Sequence, residues 1–329
     1  MPQASGLSRY APLTAPASQD SGGAEAKPVF RLKVDAGVEA LAFSPNRQFL
    51  MAGSADGTAR VWNITGAAPV ECGALRLDAA VRSVAFASNS RTIAASSASG
   101  VVKVFDLTSN GLRDGGLLRG SKGAVEALAF SPDCSLLAGG GADQTLRLWE
   151  PGKGIGTEPK TQLPGHTRAI HAIAFAADGN SIATGSADAT ARVWALNRIR
   201  PGQMMSLPHT GDVFTVSFAP DGRTVATSGK DQVVWLWDVT ATKPTVRARL
   251  DGHGEGTRLV HFTTDGETVV SVGANDVKNW SPRSGRLRAE WSLPAGTASR
   301  FAITADGRYL ARGTAAGTVE LFRVADKRK

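Results

Sequence analysis

A phenylalanine that closes a short run of alternating apolar residues returns along this chain at a nearly constant interval. It stands at Phe43, Phe86, Phe130, Phe175, Phe218 and Phe262, with Ile303 in the seventh place. The gaps are 43, 44, 45, 43, 44 and 41 residues. A period of this length constrains the fold strongly. Each unit must be one supersecondary structure that buries its faces only against its neighbours. Two further markers keep step. Five residues before each anchor stand Val38, Val81, Val125, Ile170, Val213, Thr257 and Ala298. Nineteen residues after it stand Trp62, Phe105, Trp149, Trp194, Trp237 and Phe322, while the sixth unit places Trp280 after 18.

Inside each unit the pattern is that of strands. VEALAF (38–43) and VFTVSF (213–218) alternate with period two. A tight-turn group follows in every unit: SPN, ASN, SPD, ADG, PDG, TDG and ADG. Asp-Gly supplies the left-handed conformations that a hairpin needs. A second strand such as SIATGS (181–186) leads to a turn carrying Asp or Gly. A third strand then ends in the aromatic, as in TARVW (190–194). A variable fourth strand completes the unit, for example TVRARL (245–250) or LRAEWSL (287–293). Four short antiparallel strands per unit make a propeller blade. One blade cannot cover both of its faces, whereas a closed ring covers them all and leaves no terminal blade. The chain opens on an unattached strand, Val29–Lys33, and ends on a third strand, Thr318–Val324. The first is predicted to supply the missing fourth strand of the last blade.

The motifs that fill this frame resemble the WD40 family. They read GSADGTARVWN (53–63), GGADQTLRLWE (140–150), GSADATARVWA (185–195) and GKDQVVWLWD (229–238), with Gly165-His166 and Gly252-His253 as the glycine–histidine signature. The resemblance spans residues 29–325. It implies an all-β, seven-bladed β-propeller of four-stranded antiparallel blades, closed by the N-terminal strand joining the last blade. It also implies a hydrogen-bonded series of Trp, Ser/Thr, His and Asp, because a buried indole and imidazole need partners. Repeat four holds the full set in His166, Thr184, Asp188 and Trp194, and repeat five in His209, Thr227, Asp231 and Trp237. A His–Asp–Thr group resembles a hydrolase triad, but its recurrence in two repeats favours the structural role. The other repeats lack members and are expected to rely on apolar packing. Repeat three has Asp143 and Trp149 without a matching histidine, and repeat two has Phe105 for Trp. Repeat six, SVGANDVKNW (271–280), is one residue short between turn and Trp, so its turn geometry is expected to differ.

Outside the repeats, residues 1–28 are rich in Ala, Ser, Gly and Pro and are expected to be disordered. They lack the basic-then-apolar order of a signal peptide, and no apolar run approaches membrane-spanning length. Residues 326–329 read as a solvated basic tail. Cys72 and Cys134 fall at unlike places in two repeats, which suits free thiols in a reducing compartment, and a cytoplasmic location is expected. The formal charge of +8 raises the question of nucleic acid. The basic residues scatter through every repeat, however, many standing two places before the aromatic (Arg60, Lys103, Arg147, Arg192). Without a basic stripe interleaved with stacking aromatics, nucleic acid is disfavoured as a partner. The five histidines do not cluster as zinc ligands, and no phosphate-loop or dinucleotide fingerprint is present, so no metal or cofactor is expected.

In the family resembled here, the narrower top face of the ring is the commonest contact. The matching positions flank the start of each inner strand and precede the second turn. They nominate Glu39, Arg82, Glu126, His171, Asp212, Phe214, Lys230 and Arg258 as partner-binding residues, with Ser299 in the seventh place. Six of the seven pre-turn positions are alanine, so the rim is expected to be shallow, with Lys230 the exception. Repeat five groups Asp212, Phe214 and Lys230. An aromatic flanked by charges is a plausible hot spot, although Phe214 as a simple plug of the channel fits the same position. The expected function is a scaffold that binds a protein or peptide, as a monomer or as a subunit of a hetero-complex. A regulatory or sensor module of a kinase or other effector system is the alternative. An enzyme using the central channel would need convergent acid, base or metal groups on the inner strands, and the sequence offers none.

Overall fold

The computed structural model describes residues 25–152, 157–196, 204–254, 256–294 and 298–324. They form seven four-stranded antiparallel sheets arranged as a β-propeller. Blade four shows the plan, with strands Ile170–Phe175, Ser181–Ser186, Thr190–Ala195 and Met204–Pro208 following one another from the axis outward. Blade seven is the exception. Its inner three strands are Ala298–Ile303, Tyr309–Thr314 and Thr318–Arg323, and Pro28–Lys33 adds the outermost. That strand runs antiparallel to its neighbour, from Pro28 opposite Phe322 to Lys33 opposite Thr318. The ring is therefore closed by hydrogen bonds between the two ends of the chain. The closing strand starts one residue ahead of Val29, and before it the Ala26 amide donates to Ser292 O on blade six. Residues 1–24 of the expected disordered segment, and the basic tail, lie outside the described residues.

The second strand of each blade is covered on both faces, which is why it is built from small and apolar residues. In Ser181–Ser186 every position after the first is buried. The outermost strands face solvent, and Thr245–Leu250 is exposed along most of its length. The core lies between blades. Ala183, Val193 and Leu207 of blade four pack with Val213, Val225 and Trp237 of blade five, and similar layers fill the other gaps. The turn after each inner strand needs a left-handed residue. Gly179, Gly222, Gly266 and Gly307 take it with φ between 66° and 71°, whereas blades one to three use Arg47, Ser90 and Cys134. These three carry a Cβ into a conformation that normally favours glycine.

A bulge at the start of the inner strand sets up the functional face. Val38 pairs with Ser54 while Ala40 pairs with Gly53, so Glu39 is an extra residue turned out of the ladder. The same shift recurs in blades two, three, four, five and seven. Bulges re-aim a side chain and increase the local twist. Blade six lacks it. Its inner strand begins at Leu259 rather than at the expected Thr257, and the Arg258 amide donates to Val272 O instead.

The expected hydrogen-bonded series is present in blades four and five. Trp194 Nε1 donates to Thr184 Oγ1 at 2.9 Å, Thr184 Oγ1 lies 2.7 Å from His166 Nε2, and His166 Nδ1 lies 2.8 Å from Asp188 Oδ2. In blade five the three distances among Trp237, Thr227, His209 and Asp231 are all 2.8 Å. Blade six holds a third series. Trp280 Nε1 donates to Ser271 Oγ at 2.7 Å, Ser271 meets His253 Nε2 at 2.6 Å, and His253 Nδ1 meets Asp276 Oδ1 at 2.7 Å. The shortened turn explains why its spacing hid it. Asp188 precedes its tryptophan by six residues, but Asp276 precedes Trp280 by four and opens the third strand itself. A Cβ on Gly273 would sit 2.1 Å from Asp276 Oδ1, so glycine makes room for the displaced carboxylate.

The expectation that the remaining blades rely on apolar packing is corrected by a polar latch in each. Asp35 meets Arg60 at 2.5 Å in blade one. In blade two Asp78 accepts from Ser97 Oγ at 2.9 Å and Ser99 Oγ at 2.7 Å. In blade three Trp149 Nε1 donates to Arg119 O at 2.8 Å, and the Lys122 amide donates to Asp143 at 2.8 Å. Blade seven uses Arg312, which donates to Pro294 O and to Glu320, both at 2.5 Å. All seven join the loop entering the blade to the second strand, the second turn or the third strand. That loop carries backbone and side-chain groups that need partners, and several chemistries satisfy them.

Candidate functional site

Six of the eight nominated rim residues meet in one place. Glu39, Arg82, Glu126, His171, Phe214 and Arg258 line a hollow of about 410 Å³ at the mouth of the central channel. Each belongs to a different blade, and the bulge described above turns five of them inward. Leu41 and Val84, two residues further along their strands, line the same hollow.

Asp212 and Lys230 are not with them. They line a separate groove between blades four and five, together with Thr167, Arg168 and Asp231. The group expected in repeat five is therefore split. Val213 pairs with Gly229 and Thr215 with Ser228, so the bulge sends Phe214 to the axis while Asp212 stays in the loop outside. In blade seven Arg300 and Phe301 line the mouth, and neither is among the nominated residues; the side chain of Ser299 lies outside the described ones. The signal for Arg300 was available. The equivalent register position holds Ala40, Ser83, Ala127, Ala172 and Thr215 in blades one to five, and an arginine among small residues has a long reach. Arg300 Nε donates to Glu39 O at 2.6 Å, and its Nη2 lies 3.4 Å from Glu39 Oε2.

Charge alternates around the mouth. Arg82 Nη1 lies 3.5 Å from Glu39 Oε2, and Arg82 Nε lies 3.9 Å from Glu126 Oε1. That Nε is buried and makes no hydrogen bond within the protein. Burial pushes the His171 imidazole below its usual range, and Glu126 and Asp212 only partly oppose this. His171 is therefore neutral near pH 7. Its ring centroid is 6.0 Å from that of Phe214, and the Arg258 guanidinium stands 5.6 Å from the same ring. Phe214 is half-buried and Arg258 exposed. Among the described residues Arg258 has no carboxylate partner. Three arginines against two glutamates leave the mouth with surplus positive charge.

This arrangement offers an aromatic face, hydrogen-bond donors and charge. The His–Thr–Asp series inside blades four, five and six are of another kind. Thr184, Thr227 and Ser271 are completely buried, so no substrate reaches those hydroxyls. In blade four, burial by itself raises the Asp188 carboxyl. Hydrogen bonds from Thr190, His166 and the Thr167 amide outweigh it and bring the group down to about 2. Burial likewise keeps His166 below its usual range despite Asp188. These groups are held in one protonation state by structure. Cys72 and Cys134 are both free. Among the described residues no helix is long and apolar enough to cross a membrane, and no three His, Cys, Asp or Glu side chains gather as a metal ion requires.

Five segments match the family model described as WD domain, G-beta repeat: residues 26–63, 75–106, 115–150, 157–195 and 202–238. Together they take in more than half of the chain and end within blade five. Blade six and the inner three strands of blade seven lie beyond the matched segments and complete the ring in the structure. No curated protein matches the chain.

Proposed function

The chain belongs to the WD40 family, and from that membership we propose that it is a scaffold that binds a protein or peptide through the mouth of its channel. Proteins of this fold are generally interaction platforms, but fold alone does not assign a site. The observation that carries the reading is the convergence of all seven blades on one hollow. There a half-buried Phe214 is flanked by His171 and by Arg258 with its charge unpaired. Aromatic and arginine side chains at the centre of a recessed surface carry most of the energy in protein interfaces. The hollow suits a segment that sets an apolar side chain against Phe214 and a carboxylate near Arg258. The ring supplies rigidity, so little ordering entropy opposes binding. Asp212 and Lys230 extend the contact along the groove between blades four and five. The protein acts as a monomer or within a hetero-complex, without catalysis of its own. The free cysteines support a reducing, cytoplasmic setting.

Affinity purification with mass spectrometry tests this. Partners captured by the parent should be lost from Phe214→Ala and Arg258→Glu, with affinity falling about 30-fold or more, the size of a 2 kcal/mol hot spot. Circular dichroism should show both variants folded, with melting temperatures close to the parent. Capture of the same proteins in the same amounts by folded variants defeats the assignment.

A further inference from the structure

In ring order, from blade seven through blades one to six, the side chains at the mouth are Arg300, Glu39, Arg82, Glu126, His171, Phe214 and Arg258. Cation and anion alternate from Arg300 to Glu126, and His171 and Phe214 carry no charge. Closing the circle therefore sets Arg258 next to Arg300, two cations on adjacent blades. Arg300 turns towards blade one, with Nε 2.6 Å from Glu39 O and Nη2 3.4 Å from Glu39 Oε2. Arg82 pairs with both glutamates. Arg258 is exposed, and among the described residues it meets no carboxylate but stands 5.6 Å from the centre of the Phe214 ring. One added negative charge makes the rim neutral. A phosphate group, at about −1.5 to −2, would overshoot it.

Apolar residues line the same hollow. Leu41, Val84 and Phe301 occupy one register position of blades one, two and seven and contribute to its wall. At about 410 Å³ the hollow lies at the low end of small-molecule sites. A segment passing through it would bring peptide groups on both sides of the bound residue, each needing a partner, whereas a chain end brings them on one side only. Spacing gives a second argument. A carboxylate near Arg258 and an apolar side chain against Phe214 must be close neighbours, because the guanidinium and the ring they meet are 5.6 Å apart. In an extended segment the next side chain points to the opposite face, and the one after it lies about 6.6 Å further along. The α-carboxylate of a last residue is attached to the same Cα as its side chain and meets the condition directly. We propose that the mouth receives the carboxyl terminus of a partner protein, its terminal carboxylate held by Arg258 and the apolar side chain of its last residue set against Phe214. Guanidinium forks match a planar carboxylate. The proposal rests on the mouth being the partner site, and adds which end of the partner enters it.

Two libraries of N-acetylated pentapeptides, random at every position, test this, one ending in free carboxylates and the other in carboxamides. Each is passed over the immobilised full chain, and retained peptides are identified by mass spectrometry. Free acids with an aliphatic or aromatic last residue should be retained, and the matching amides should not. By isothermal titration, amidation of a retained peptide should weaken binding about tenfold or more, the size of a charge-assisted contact. Arg258→Gln should bring acid and amide to similar affinity, whereas Phe214→Ala should weaken both, with circular dichroism showing both variants folded. Retention of nothing, or an undiminished preference for the acid in Arg258→Gln, overturns the proposal. So does equal retention of acids and amides. If Phe214→Ala then abolishes that retention, the mouth still stands as a peptide site, which separates this failure from failure of the wider reading. Free 4-methylpentanoate binding as tightly as the best peptide overturns it as well, since the ligand would then be a small acid.

Discussion

Thr184→Val probes the latch of blade four with almost no change of shape. Thr184 is completely buried, and its hydroxyl accepts from the Trp194 indole at 2.9 Å while donating to His166 Nε2 at 2.7 Å. The direction follows from the other end of the series, where His166 Nδ1–H donates to the ionised Asp188. Valine fills the same volume but leaves an indole N–H and an imidazole nitrogen without partners. Each buried orphan costs about 1–3 kcal/mol. The added methyl returns about 0.8 kcal/mol. The net loss is about 3 kcal/mol, or about 5 °C in melting temperature for a cooperative domain of this size. Calorimetry and a denaturant midpoint by near-ultraviolet circular dichroism measure it. The double variant Thr184→Val/Trp194→Phe should cost less than the sum of its parts by about 1 kcal/mol, because the phenylalanine removes one of the two orphans. A loss below about 0.5 kcal/mol in Thr184→Val would mean the series contributes no more than an ordinary surface contact.

Two further outcomes follow from the same geometry. Gly139→Ser in blade three restores the hydroxyl position by sequence, yet it should destabilise by about 1–3 kcal/mol in the same denaturation assay. A Cβ there would lie 2.7 Å from Trp149 Cζ3 and 3.1 Å from Leu128 Cδ2. Stability should also fall in acid. Asp188 titrates at about 2 when folded against an ordinary value of 3.8, so its contribution is complete above pH 3.8 and lost as pH falls towards 2. That contribution is about 2 kcal/mol. His166, lowered from 6.5 by burial, refuses a proton that the unfolded chain accepts, so its contribution declines as pH drops below 6.5. Denaturation midpoints between pH 7 and 3 should show both losses, and Asp188→Asn should flatten the lower one.

The blade count, strand order and ring closure were legible because period-two alternation, Asp-Gly turns and a fixed aromatic act locally and repeat. The series in blades four and five was legible for the same reason, since Asp188 and Asp231 each stand six residues before a tryptophan. The third escaped because one residue is missing before Trp280 and the carboxylate stands one place later in the turn, with Asn275 at the matching position and Asp276 against His253. Latches such as Asp35–Arg60 and Asp78–Ser99 have no fixed spacing, and complementary chemistry alone identifies them once the chain is folded. At the mouth, one backbone feature decided what could be read. The bulge reverses the face on which neighbouring residues lie, so Asp212 and Phe214 part company although they stand two apart. Arg300 enters from a register position that is small in blades one to five.

The hollow at the mouth and the closure of the ring are mechanically one system. Arg300 of blade seven reaches across to Glu39 of blade one through both the backbone and the side chain. The gap it spans is the one that the N-terminal strand closes. Within blade seven, Glu320 takes Arg31 from that strand at 3.1 Å and Arg312 from the second strand at 2.5 Å. Arg312 and Glu320 are almost fully buried, so their pairing is little screened by salt. The latch of blade one is the opposite case, because Asp35 is largely exposed and its bond to Arg60 weakens as ionic strength rises. Opening at this junction would remove Arg300 from Glu39 and release Glu39 from its place opposite Arg82. The charge pattern of the mouth therefore exists only in the closed ring, and the strand that joins the two chain ends holds the binding surface together as much as it holds the fold.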